Sequence, residues 1–149
     1  MDMVMNINAF KSGNYELVSD EIKDVAESCK ASGKLLKVII ECCYLSDEEK
    51  VRASRLVEFA GAHFVKTSTG FGPSGATVAD VALIKRSLTR GTKVKAAGGI
   101  RTLAMAMEMI NAGADRLGTS ESVKIMEEAA KTSLQLPRAE RDAYPAVGE

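Results

Sequence analysis

Short apolar segments alternate along the chain with segments of helical periodicity, and this alternation restricts the possible folds more than any other feature. The apolar segments lie near residues 3, 35, 62, 93 and 115. Between the first two, Val18, Ile22, Ala26 and Cys29 recur at helical spacing, which predicts an amphipathic helix. Leu35–Ile40 is almost continuously apolar, as is typical of a strand buried on both faces of a parallel sheet. The alternation therefore predicts an α/β fold with a parallel sheet.

Local signals predict where several of these elements begin and end. Met3–Ile7 has the composition of a first strand, with Asp2 at its start. Ser46 and Glu49 have the spacing of a capping box at the start of a helix. Gly91 is expected to end a later helix.

Each predicted strand ends in polar or glycine residues, as in a (β/α)8 barrel whose chemistry lies at the carboxyl ends of its strands. A complete barrel usually needs at least about 200 residues, and this chain has 149. We therefore expect an α/β partial TIM barrel of about five βα units over residues 1–134. Residues 135–149 have few large apolar side chains and are expected to form a C-terminal tail.

The composition bears on partners and location. Lys and Arg number 20, as do Asp and Glu, so the formal net charge is zero, and binding to nucleic acid or to an anionic membrane surface is not expected. No apolar run approaches the roughly 20 residues that span a bilayer, and the acidic Asp2 argues against a basic secretory leader. Because Cys29, Cys42 and Cys43 lack the spacing of a metal site, we expect reduced thiols with packing roles in a cytoplasmic protein.

Two lysines at predicted strand ends are the first candidates for covalent chemistry. Lys66 follows the apolar residues 62–65, and Lys95 lies in an apolar segment just before Gly98 and Gly99. Desolvation of each amine and repulsion between the two charges would both lower the amine pKa, which favours a nucleophile near neutral pH. The alternative is that both side chains extend from the strand ends into solvent.

Two consecutive glycine turns are candidates for phosphate binding. Gly98 and Gly99 precede a helix expected to start at Thr102, and Gly118 and Ser120 recur at the next strand end. Small residues allow backbone N–H groups to approach an anion, and a helix N-terminus attracts it. Arg101 would add a bidentate contact. The alternative is that these glycines only form tight turns between strands and helices.

The segment from Gly70 to Gly75 matches the G-x-G-x-x-G pattern of dinucleotide-binding proteins. Polar residues 67–69 separate the strand from the first glycine, and Pro73 stiffens the loop. The following strand ends in glycines and not in the acidic residue that would bind a ribose. We therefore interpret the segment as a loop without a dinucleotide.

Three segments together resemble the deoxyribose-phosphate aldolase family: Val38–Glu41, Lys66–Gly70 and Lys95–Thr102. The resemblance extends from Asp2 to about Met126. It implies a class I aldolase on a TIM barrel, with the five strands corresponding to the fourth to eighth of the family. Counterparts of the first three strands are not expected in this sequence.

The resemblance also implies residue roles. Lys66 would be the Schiff-base nucleophile, Lys95 would tune it, and Asp2 would relay protons, although periodicity alone would make Asp2 a solvated terminal acid. Residues implied to contact the substrate or its phosphate are Lys37, Thr69, Gly70, Gly98, Gly99, Arg101, Gly118 and Ser120. Glu121 stands where the family usually has a second serine, and an acid there would repel phosphate unless it points away.

The activity implied is cleavage of 2-deoxy-D-ribose 5-phosphate to D-glyceraldehyde 3-phosphate and acetaldehyde, with no metal or organic cofactor. Two alternatives stay open. The chain could be a catalytically weak or inactive remnant that binds phosphate esters. It could also be a partial barrel that self-associates through exposed strand edges near Val4 and Leu117, and a homo-oligomer is expected because unpaired edges attract further strands.

Overall fold

The computed structural model describes residues 1–135, in which strands and helices alternate except that two helices follow the first strand. The strands are β1 (Asp2–Val4), β2 (Lys37–Ile39), β3 (Phe64–Lys66), β4 (Lys93–Ala97) and β5 (Arg116–Gly118). The helices are α1 (Ile7–Lys11), α2 (Tyr15–Ala31), α3 (Asp47–Phe59), α4 (Val78–Ser87), α5 (Leu103–Asn111) and α6 (Ser122–Gln135), and a 3-10 turn spans Cys42–Tyr44.

The strands of the described region form one parallel sheet in the order β1-β2-β3-β4-β5. Consecutive strands are therefore neighbours throughout. A doubly wound sheet would reverse direction at a switch point, whereas a barrel wall keeps this order. The predicted α/β fold with about five βα units is confirmed, and β1 and β5 are the edges of the sheet in this part of the chain.

The helices begin and end for the reasons that the local sequence indicates. Ser46 accepts from the Glu49 N–H while the Glu49 carboxylate accepts from the Ser46 N–H, which completes the predicted capping box. Thr77 and Thr102 cap α4 and α5 through their side chains. Gly61 follows α3 with φ 87°, a conformation that glycine adopts without a steric penalty.

One face of the sheet packs on the helices and forms the core. Val38, Val65 and Val94, which are partners in the register of β2, β3 and β4, are fully buried. Helix residues that join this core include Val18, Ile22, Ala53, Val57, Val81, Ile84 and Ala106. Because side chains alternate across a strand, the residues on either side of these valines point to the opposite, inner face. That inner face carries the candidate site.

Two predicted boundaries are wrong. The strand predicted for Met3–Ile7 ends at Val4, and Ile7 begins α1, because the Asn6 side chain accepts from the Ala9 N–H and so starts a helix. Helix α4 ends at Ser87, and Gly91 lies in the turn before β4. Residue 135 still belongs to α6, and the remainder of the proposed tail lies outside the described residues.

Among residues 1–135, no helix has both the length and the apolar character required to cross a lipid bilayer.

Candidate active site

The inner face of the sheet brings one carboxylate together with three lysines. The Asp2 Oδ1 accepts from the Lys37 Nζ at 2.9 Å, and its Oδ2 accepts from the Lys66 Nζ at 2.9 Å. The Lys95 Nζ lies 3.5 Å from the same Oδ2. These residues come from β1, β2, β3 and β4, so the cluster exists only when the four strands are assembled.

The register of the sheet explains how Asp2 reaches lysines that lie further along their strands. Asp2 pairs with Lys37, which pairs with Phe64, so Lys66 is two positions beyond the partner of Asp2. Strands of an eight-stranded barrel with shear eight shift by about one residue per strand, which is two residues from β1 to β3. The tilt of the strands therefore brings Asp2 and Lys66 to one level of the barrel.

The cluster carries excess positive charge in a half-buried position. The lysine side chains are 13–18% exposed and the Asp2 side chain is 32% exposed. Burial alone would raise the pKa of Asp2. Hydrogen bonds from Lys37 and Lys66, with the charges of Lys66 and Lys95, outweigh it and hold the pKa of this carboxyl far below its ordinary value. Asp2 is thus a carboxylate at any physiological pH.

A buried hydroxyl fixes the two central strand ends against each other. The Thr67 Oγ1 donates to the Ala97 carbonyl and accepts from the Ala97 N–H, both at 3.1 Å. Ser68, also fully buried, donates to the same Oγ1. Lys66 and Lys95, which are register partners, are therefore held side by side just before this contact.

Glu41 makes contacts at this site that were not predicted from the sequence. It is 4% exposed at the carboxyl end of β2, and its carboxylate accepts from both the N–H and the hydroxyl of Thr69. Thr69, expected to contact substrate, thus has both its donors directed at Glu41. The signal in the sequence was an acid directly after an almost continuously apolar strand.

The loops after β3 and β4 adjoin at their glycines. Gly70, Gly98 and Gly99 have φ values of 95°, 90° and 78°. The Ala76 N–H donates to the Gly98 carbonyl at 3.0 Å, and a Cβ on Gly75 would overlap that carbonyl. The last glycine of the G-x-G-x-x-G pattern is thus explained by a close approach of two loops.

The loop after β5 contacts the loop after β4. The three loops after β3, β4 and β5 together are called the rim. The Thr119 hydroxyl donates to the Ile100 carbonyl at 2.6 Å and accepts from the Glu121 N–H at 2.9 Å. Arg101 and Ser120 are exposed beside this link. Gly118 points into the barrel, where an added Cβ would lie 3.0 Å from the Lys95 Cε. Its lack of a side chain therefore makes room for Lys95.

Helix α5 already has an acidic partner at its N-terminus. The Leu103 N–H donates to the Glu128 carboxylate at 2.8 Å, and the Met105 N–H donates to the Thr102 hydroxyl. Two of the first N–H groups of α5 are thus occupied. An anion at this rim would depend more on the glycine turns than on the helix terminus expected from the sequence.

The cysteines of the described region are free. Cys42 is 2% exposed in the core, and burial raises the pKa of its thiol to about 12. The thiol stays protonated at neutral pH, in accord with a packing role for Cys42.

Comparison with known proteins places this geometry in a family. A family model described as DeoC/LacD family aldolase matches residues 1–126. The deoxyribose-phosphate aldolase of Dictyoglomus turgidum is 55% identical over 130 residues, which cover 87% of this chain and 58% of that protein.

Solved structures agree with this match. The aldolase QR15 superposes with a TM-score of 0.85 at 47% identity, covering 91% of this chain and 61% of its own. The tetrameric deoxyribose phosphate aldolase of Aeropyrum pernix superposes with a TM-score of 0.78 at 32% identity, covering 88% and 55%. The chain spans slightly less than three fifths of the length of the curated relatives that it matches. With a family model matching most of its length and relatives more than half identical to it, the chain belongs to the DeoC/LacD family of aldolases.

Proposed function

We propose that this chain carries the Schiff-base site of a deoxyribose-phosphate aldolase, which cleaves 2-deoxy-D-ribose 5-phosphate to D-glyceraldehyde 3-phosphate and acetaldehyde. The observation that carries the proposal is the contact of the Lys66 and Lys95 amines with one Asp2 oxygen. Such a cluster supplies a nucleophilic amine, a second cation and an ionised carboxylate in one place.

The reaction follows from these three side chains. The neutral Lys66 amine attacks the C1 aldehyde carbon, and loss of water leaves a protonated imine. A base removes the proton of the C3 hydroxyl, the C2–C3 bond breaks, and its electron pair moves into the imine to form an enamine. Asp2 and Lys95, with water, carry the protons. Protonation of the enamine at C2 and hydrolysis then release acetaldehyde and restore Lys66.

The phosphate of the substrate is assigned to the rim formed by the loops after β3, β4 and β5. At Gly70 and Gly99, which have positive φ values, no other atom lies within 4 Å of the place that a Cβ would take, whereas Gly98 packs on Gly75. The exposed Arg101 guanidinium would add charge at this rim. The other residues of the proposed binding set are Lys37, Thr69, Gly118 and Ser120. Of these, Thr69 donates to the Glu41 carboxylate and Gly118 leaves room for Lys95.

Borohydride trapping of acetaldehyde tests the nucleophile directly. Intact mass and peptide mapping should place one reduced adduct on Lys66 and none in Lys66→Leu. Lys34→Leu, at an exposed turn residue, is the matched control and should trap as well as the original chain. If Lys66→Leu traps equally, the assignment is wrong. If the original chain traps nothing, the phosphate-binding remnant becomes the better description.

Self-association is part of the proposal. Unpaired parallel strands attract further strands, and β1 and β5 form the edges of the described sheet. The structural relative from Aeropyrum pernix is a tetramer. We therefore propose a homo-oligomer in a reducing, cytoplasmic compartment. Light scattering at micromolar concentration should give a multiple of 15.9 kDa, and a clean monomer would contradict the oligomer.

A further inference from the structure

Glu41 is unusual in both its burial and its backbone. Among residues 1–135 it is the one non-glycine residue with a positive φ, 53°. Its carboxylate is buried next to the proposed substrate rim, and its hydrogen-bond donors there are the backbone and hydroxyl of Thr69 and the thiol of Cys43. Non-glycine residues in this backbone conformation cost free energy, and they cluster at functional sites.

The carboxylate organises the first half of the loop between β3 and α4. The Thr69 N–H lies 3.2 Å from each Glu41 oxygen, and the Thr69 hydroxyl donates to Oε2. With its proton directed at Glu41, that hydroxyl accepts from the Phe71 N–H at 3.1 Å. Gly72 packs on Cys43 and Glu41, since an added Cβ would lie 2.8 Å from the Cys43 Sγ and 3.5 Å from the Glu41 Cδ. The path of the loop through residues 69–72 thus depends on this one side chain.

The second half of the loop transmits this position to the next strand. Gly75 packs on Gly98, and the Ala76 N–H donates to the Gly98 carbonyl. Gly98 is the first glycine of the turn assigned to the phosphate. The base of the loop is held independently, since the Cys42 N–H donates to the Thr67 carbonyl. Loss of the carboxylate should therefore move the rim while leaving Lys66 and its strand in place.

We propose that Glu41 is a positioning residue that sets the phosphate-binding rim through Thr69. The substrate named in this inference rests on the proposed function, whereas the role of Glu41 in the loop rests on its contacts alone. A carboxylate offers two acceptors to the N–H and O–H of Thr69. A glutamine keeps the shape, offers one acceptor oxygen, and turns an NH2 group toward one of these donors.

The test compares Glu41→Gln with Glu27→Gln, the same change at an exposed position of α2. Amide hydrogen exchange at residues 69 and 71 should rise about tenfold in Glu41→Gln, the factor that corresponds to weakening one charge-assisted hydrogen bond. The dissociation constant for inorganic phosphate should rise by a similar factor. Trapping of acetaldehyde on Lys66 should stay within about twofold. Glu27→Gln should change none of these.

Substrate pairs separate positioning from a general structural role. In Glu41→Gln the KM for 2-deoxyribose 5-phosphate should rise and kcat should change little. The KM and kcat for 2-deoxyribose without phosphate should both be unaffected. Unchanged amide hydrogen exchange at residues 69 and 71 would overturn the inference. An equal loss of activity with both sugars would also overturn it. If the original chain neither traps acetaldehyde nor turns over, the proposed function fails, and exchange together with phosphate binding still decides the role of Glu41.

Discussion

Replacing Asp2 with asparagine removes the one negative charge that the described structure places among Lys37, Lys66 and Lys95. The asparagine keeps the shape and one acceptor oxygen. The three lysine side chains then face one another without a carboxylate between them. We expect both the stability of the fold and the proposed chemistry to fall, because the same carboxylate joins side chains of four strands and belongs to the proposed proton relay.

The size of the stability effect follows from the distances. A unit-charge pair at 2.9 Å is worth about 6 kcal/mol at an effective dielectric constant of about 20, and about 1.4 kcal/mol in water. The Asp2 side chain is 32% exposed, so solvent screens it toward the lower value. An exposed ion pair contributes little to stability, whereas an unpaired buried charge costs much more. Because Asp2 lies between these cases, we expect a loss of about 1–3 kcal/mol in the free energy of unfolding.

The pH dependence has a defined sign. The pKa of Asp2 in the folded chain lies below its ordinary value of 3.8, so the folded state binds fewer protons there than the unfolded state. Its stabilisation is complete above the ordinary value and disappears as the pH falls through the lower folded value. The difference between the original chain and Asp2→Asn should therefore be constant near neutrality and shrink below about pH 4.

Urea unfolding followed by circular dichroism at neutral and acidic pH measures this difference. Asp20→Asn, at an exposed position of α2, is the matched control and should have little effect at either pH. High salt should reduce the Asp2 effect because exposed charges are screened. An equal loss of stability at about pH 7 and about pH 3 would refute the electrostatic reasoning.

Two further variants probe contacts away from the lysines. Glu58→Gln weakens a buried carboxylate that accepts the N–H groups of Thr89 and Arg90 at 2.9 and 2.8 Å and whose pKa is lowered in spite of burial, mainly by these backbone hydrogen bonds. Near neutrality the free energy of unfolding in urea should fall by about 1.5–3 kcal/mol, and this loss should shrink as the pH falls below the ordinary pKa of 4.5. Acetaldehyde trapping should be unchanged, and reduced trapping would contradict this. Gly75→Ala forces the loop away from Gly98, so phosphate binding measured by calorimetry should weaken and stability should fall by about 1–3 kcal/mol. If Gly75→Ala keeps its phosphate binding and its stability, the two loops can separate without a loss of free energy.

Much of the fold could be predicted because its signals are local. The capping box at Ser46 and the threonine caps of α4 and α5 lie within one helical turn of the residues that they bind. The apolar segment that contains β2 indicates a strand buried on both faces without reference to any other part of the chain. The exception is α1, because its helix is started by a single Asn6 side chain within an apolar segment.

The candidate site was only partly predictable, and the difference lies in what holds each residue. Lys66 and Lys95 could be identified because each sits in an apolar segment before a glycine turn. The resemblance to the family directed attention to Asp2, whereas position alone suggested a solvated acid. Glu41 was missed because its partner, Thr69, lies 28 residues further along the chain.

By itself the sequence determined the alternation of strands and helices, the helix ends and the two lysines at strand ends, since each depends on residues within a few positions. The tertiary structure decided that Asp2 contacts these lysines, that Gly118 makes room for Lys95 and that the Glu41 carboxylate accepts from Thr69. The physical reason is that strand tilt and register convert distant positions into neighbours. The direction of a side chain across assembled strands is a property of the sheet and not of any one segment.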